Sequence, residues 1–285
     1  MREGVAGAHD DCGVGNAVSR PGGAVGQELR VRSAGHSQKD SMTQIPVPSP
    51  IRVFFIVDFA FGIAYLFNYL VGEPYWTLTV LLDLDGEGNL PTWYSSIQWF
   101  CVAMLFGLFA HRNFSRSQRK SWGLLILPLV FLLLSLDEIA QLHEVLGSQS
   151  DKLLRNASRQ DSLFPRTGIW MLVIGVPFVA FFGAMMLSIR GYFERAPGAY
   201  VKVLIGMAIM LIGALGIESL SNFVGSDPFY SMLQTIVEEL CEILGGTIVL
   251  WGSYELLLGN GFAFGFDTGN ADHAVPPCHD RPGHR

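Results

Sequence analysis

Six apolar stretches, each close to the length of one membrane crossing, constrain this chain more than any other feature: 51–71, 95–111, 122–146, 167–190, 199–223 and 229–258. A bilayer core about 30 Å thick takes roughly 20 helical residues to cross. The expected fold class is therefore all-α: a polytopic integral membrane protein, a bundle of six transmembrane helices. The second stretch is short, and the last is long enough to tilt or project beyond the lipid. Composition agrees, because charged residues make up 15% of the chain, against about 25% in soluble domains. Pro128 and Pro177 fall inside the stretches, where lipid-embedded helices tolerate them.

The domain organisation expected from these runs is a disordered extension over 1–50, a six-helix domain over 51–258 and a disordered tail over 259–285. The extension is polar and rich in Gly and Ser, without apolar periodicity. Met42 precedes the first apolar run, so residues 1–41 read as an optional extension. Cys12, Cys101, Cys241 and Cys278 lie far apart with no paired spacing, and they read as isolated thiols. His273, His279 and His284 are irregularly spaced in the polar tail and read as solvated.

Orientation follows from the basic residues. Arg52, then Arg112, Arg116, Arg119 and Lys120, then Arg190, Arg195 and Lys202 alternate with two connections free of Lys and Arg. Both termini are thus expected on the cytoplasmic side of a cell (inner) membrane. The connection holding Lys152, Arg155, Arg159 and Arg166 runs against this pattern. Since topology already accounts for the basic residues, nucleic-acid binding is disfavoured; the expected partner is the lipid bilayer.

In that orientation the acids gather near the outer face. The third stretch ends with Asp137, Glu138, His143 and Glu144, and the fifth reaches Glu218. The sixth carries Glu238, Glu239 and Glu242 in its early turns. At about 100° per residue, Asp137, Gln141 and Glu144 share one face, and Glu238 and Glu242 share another. Crowded carboxylates repel unless protons or a cation intervene. A divalent metal ion suits such oxygen ligands, and an imidazole widens the choice. The expected metal ligands are Asp137, His143, Glu144, Glu218, Glu238 and Glu242, with Glu138 or Glu239 as a general base. The competing reading is that these are helix ends emerging into interfacial water. Asp58, inside the first stretch and toward its cytoplasmic side, suits a proton path or a bond to a neighbouring helix. The di-iron bundle pattern is not met, because Glu138 and His143 are five apart and no second buried His exists.

The outer connection "DLDGEGN" begins like a calcium loop, with Asp83, Asp85, Glu87 and Asn89 as candidate ligands. The twelfth position, where such a loop ends in Glu, is Tyr94. An acidic turn is the alternative. On "DLDGEGNLPTWYSS", "SLDEIAQLHE" and "EELCEILG" the chain resembles a group of uncharacterised bacterial multipass membrane proteins, over roughly 51–258. A fainter resemblance is to alkaline ceramidases, membrane hydrolases with an acidic calcium segment and a histidine zinc site. Asp85, Glu87 and Asn89 are similar to the former, and Ser135, Asp137 and His143 to part of the latter. The paired late histidines are absent, and Glu238 and Glu242 stand there instead.

Three functions follow as expectations. The first is a metal-dependent membrane hydrolase acting on a lipid or amphiphile. The second is a proton- or cation-coupled transporter, and the third a non-catalytic assembly or sensor protein. The sequence leaves the oligomeric state open.

Overall fold

The computed structural model describes residues 47–86, 88–143, 145–146, 149, 164, 170–223 and 227–264. These form helices: α1 (Ser49–Leu70), α2 (Trp76–Leu81), α3 (Leu90–Asn113), α4 (Trp122–Ala140), α5 (Met171–Phe193), α6 (Pro197–Ser221) and α7 (Pro228–Gly259). Five helices among the described residues are long and apolar enough to cross a membrane: α1, α3, α5, α6 and Arg119–Ala140, which contains α4. α7, expected as the sixth crossing, spans 32 residues. Four glutamates interrupt its apolar character, and composition does not mark it as a crossing. The described residues are all-helical, and their apolar helices suit a multipass membrane protein.

Local chemistry explains the helix boundaries. Asn89 caps α3 by accepting the Thr92 N–H, and Pro91 occupies its first turn. Asp227 caps α7 by accepting the N–H groups of Phe229 and Tyr230, again with a proline in the first turn. Proline fits there because those N–H groups have no intrahelical partner. The cap at Asn89 starts α3 five residues before the expected 95. The end of the third stretch is also corrected: α4 stops at Ala140 instead of running to 146. Gln141 takes a left-handed backbone, with φ of 51°, and the chain turns out of the helix.

The tail expected from 259 onward is packed at its start. Phe264 stacks on Tyr254 at 4.9 Å, and the Arg112 guanidinium lies 4.8 Å from the Phe262 ring. The expected extension lies outside the described residues except for 47–50, and Ser49 and Pro50 already belong to α1.

α7 is the hub: it packs against α6, α3 and α1. Between helices in lipid there is no apolar-to-water transfer to drive contact, so close packing and hydrogen bonds decide association. Glycines permit that packing here. A β-carbon on Gly206 of α6 would sit 2.7 Å from the Gly245 carbonyl oxygen of α7, and one on Gly245 would sit 2.7 Å from the Gly206 oxygen. A second block joins α3, α4 and α5 through stacked aromatics. Trp99 and Phe131 lie 5.7 Å apart, Phe106 and Phe131 5.3 Å, and Phe182 meets Phe131 edge-on at 6.1 Å. Ser96 and Ser135 each donate to the other's backbone carbonyl at 2.8 Å, locking α3 to α4.

At the opposite end of α7, Lys202 of α6 pairs with Glu255 at 2.6 Å and lies 4.4 Å from the Trp251 ring. This residue, counted above among the loop charges, is therefore inside the bundle and neutralised. Replacing Gly245 by Val is expected to separate α6 from α7 and cost about 2 kcal/mol, in the range for an overfilled core. Thermal unfolding in detergent measures it, with Ala at Gly183, where a β-carbon would meet nothing within 4 Å, as a control.

Candidate functional site

α3 and α7 begin, and α4 and α6 end, on one side of the bundle, and there the four helices part around a cavity of about 450 Å³. Its acidic lining comes from four places. Asp137 and Glu138 come from α4, Glu218 from α6, Glu238, Glu239 and Glu242 from α7, and Asp85 from the loop before α3. Asp85 is exposed, so the cavity reaches the surface at that loop. No Lys or Arg stands among the described lining residues. The remaining wall mixes polar side chains such as Thr92, Ser95 and Gln234 with apolar ones such as Leu134, Phe178, Met210 and Ile243.

The turn at Gln141 brings His143 back onto Asp137. Asp137 Oδ1 accepts the His143 backbone N–H at 2.8 Å, and Oδ2 lies 2.8 Å from His143 Nδ1. The straight helical face expected to join Asp137 to Glu144 does not form, because the helix has ended between them. The imidazole also packs on Trp170, with ring centroids 4.8 Å apart. Trp99 Nε1 donates to Glu138 at 3.2 Å, and Trp170 Nε1 donates to Glu218 at 3.4 Å. Two carboxylates expected to work as a base and a metal ligand are thus each oriented by an indole. Ser95 adds a different feature: it is buried in the cavity wall, and its hydroxyl has no hydrogen-bond partner among the described residues.

Two neighbouring wall segments are wound more widely than α-helix. Met171–Gly175 at the start of α5 and Ile212–Ile217 in α6 are π-helical, and Gly175, Ala214 and Leu215 from them line the cavity. Such insertions recur at functional sites because they displace side chains from the regular helical face. Here the widened turn directly precedes Glu218.

Of the expected metal ligands, Asp137, His143, Glu218, Glu238 and Glu242 line this one cavity. The proposed bases Glu138 and Glu239 line it too. Glu144 and Glu87 lie outside the described residues. Among the described residues, no three His, Cys, Asp or Glu side chains already converge as a metal-ligand group. The calcium-loop candidates divide. Asn89 turns inward, donating to the carbonyls of Asp83 and Gly86 and capping α3. Asp83 accepts the Asp85 N–H at 3.1 Å. Partial burial pushes the Asp83 carboxyl above its ordinary range, and the adjacent Asp85 charge adds to this. Asp85 instead faces α7, where Thr235 donates to it at 3.4 Å.

Sequence reading passed over Ser95, Trp99 and Trp170. Ser95 and Gln98 are polar residues in an otherwise apolar stretch, and that was the available signal. Nothing in the residue pattern marks the π-helical turns.

The Asp137–His143 pair is about one-third exposed on both sides. An Asp137→Asn change is therefore expected to lower stability by less than about 1 kcal/mol, the usual range for a solvated ion pair. Thermal unfolding checks this, and it establishes that any larger functional loss in the variant is chemical.

No curated protein and no solved structure matches the chain. A family described as a domain of unknown function, DUF8692, matches residues 53–258, which takes in the helices that build the cavity. The chain belongs to that family.

Proposed function

We propose that the acidic cavity is a cation-binding reaction chamber: a divalent metal ion held by its glutamates and Asp137 activates water against a lipid or other amphiphile. The observation that carries this reading is the lining itself. Seven acids from four chain segments share one cavity whose described lining holds no Lys or Arg. The charge of a divalent cation offsets their repulsion, and oxygen ligands are what hard cations prefer. A bound metal would lower the pKa of a coordinated water and polarise an ester, amide or phosphate oxygen. Glu138 or Glu239 would take the proton of that water. The indole of Trp99 holds Glu138 in place for this role. The apolar wall around Trp170 and Phe178 suits the chain of an amphiphile.

Because no three described ligands already converge, uptake of the ion requires the long glutamate side chains of α6 and α7 to change rotamer. In the proposed arrangement α7 is the sixth crossing, and the site faces outward from a cell (inner) membrane with both termini in the cytoplasm. A proton- or cation-coupled transporter is the second reading, and the buried carboxylate of Asp58 in α1 favours it.

Metal analysis of detergent-purified protein tests the first reading. Stoichiometric divalent metal is expected in the wild type and none in a folded Glu218→Gln/Glu238→Gln variant. Titrating the ion to about 100 times its Kd is expected to add about 2.7 kcal/mol of stability, seen as a rise in Tm that the variant lacks. Absence of both metal and stabilisation in the wild type overturns the reading.

A further inference from the structure

Asp58 lies near the middle of α1, wholly buried between α3 and α7. Tyr94 donates its hydroxyl to Asp58 Oδ1 at 2.7 Å, and Gln98 Nε2 donates to the same oxygen at 3.1 Å. Thr247 Oγ1 donates to Oδ2 at 2.7 Å, while accepting from Gln98 Nε2 at 2.7 Å. All three partners are neutral, and Tyr94 is the titratable group among them. A carboxylate inside a membrane protein without a cationic partner is expensive to keep and marks a functional position.

The network accommodates either protonation state without moving a heavy atom. The Tyr94 hydroxyl has one proton and two acceptors in reach: Asp58 Oδ1 at 2.7 Å and the Phe54 carbonyl at 3.0 Å. When Asp58 is ionised, Tyr94 donates to it. When Asp58 is protonated, its own O–H donates to the tyrosine oxygen, and Tyr94 rotates its hydrogen to Phe54. A group serving only to tie α1 to α3 and α7 needs one of these arrangements, not both.

A route to the carboxyl is also marked. Ser95 Oγ and Gln98 Oε1 are buried and have no hydrogen-bond partner among the described residues. They are three residues apart on α3, so they lie on one face. Ser95 opens onto the acidic cavity, and Gln98 holds Asp58. Buried polar atoms left in this way are ordinarily satisfied by water, and water between them would join the cavity to Asp58.

We propose that Asp58 is a proton-binding site, loaded and unloaded from the acidic cavity by way of Ser95 and Gln98. The step is a simple transfer. A hydronium in the cavity gives its proton to the Asp58 carboxylate, leaving water and a neutral carboxylic acid, and the reverse releases it. Neither step needs a metal ion, so this inference stands apart from the hydrolase reading.

Infrared difference spectroscopy on protein reconstituted in lipid tests it, with pH steps between about 4 and about 10 to span ordinary and perturbed carboxyls. The wild type is expected to show a carboxylic-acid C=O band that changes with pH, is lost in Asp58→Asn and moves in Asp58→Glu. The band is expected to survive in Glu238→Gln/Glu242→Gln, which separates it from the cavity acids and from any metal result. In Ser95→Val, transfer to heavy water is expected to exchange the Asp58 carboxyl at least about tenfold more slowly, with the band amplitude retained. A wild-type spectrum with no pH-dependent band assignable to Asp58 overturns the proposal. Unchanged exchange in Ser95→Val overturns the route.

Discussion

Backbone contact between α6 and α7 at Gly206 and Gly245 is the constraint on which the rest of the bundle depends. Helices already in lipid gain nothing by hiding apolar side chains from one another, so their association rests on how closely they approach and what they hydrogen-bond. Without a side chain at either position, α7 settles against α6 deeply enough to meet α3 and α1 as well. The same close fit recurs at Gly213, where a β-carbon would lie 2.8 Å from the Glu238 carbonyl oxygen. The glutamates of α7 are held toward the bundle because their helix is at its centre. A helix bearing Glu238, Glu239 and Glu242 at the periphery would place charge against hydrocarbon.

Toward the cavity the helices become irregular. α6 is regular around Gly206 and becomes π-helical over Ile212–Ile217, a segment that still holds the close contact at Gly213, on the approach to Glu218. α5 begins with a π-helical turn beside it, and α4 ends in a left-handed residue. These three departures surround the same cavity. Two of them move a functional group off the line that a regular helix would dictate: Glu218 is carried past the widened turn of α6, and His143 is folded onto Asp137. Regular packing at one end and irregular backbone at the other together open a chamber in what would otherwise be a closed bundle.

The polar contacts divide into two layers. On the cavity side, indole N–H groups of Trp99 and Trp170 orient Glu138 and Glu218. Between α1, α3 and α7, Tyr94, Gln98 and Thr247 hold the wholly buried Asp58. Ser95 stands between the two layers, buried and opening on the cavity. A carboxylate surrounded by donors and an acid-rich chamber one helical turn away form a graded polar interior in a protein whose outer surface is apolar.

Membrane class, helical architecture and the gathering of acids at one end of the bundle were legible in the residues. Run length, charge spacing and helical period are local properties, and lipid permits few solutions to them. The clustering of Asp137, Glu218 and Glu238 followed from the alternation of crossings alone. Three features required the tertiary structure. His143 meets Asp137 only because the helix breaks at Gln141. Ser95, Trp99 and Trp170 join the site only through packing between helices. Asp58 acquires its three donors from two helices distant in sequence. Apolar patterning determines which segments enter the membrane and in what order. Which side chains then touch is decided by how closely helices can approach and where their backbones depart from regularity, and neither is written in the period of the sequence.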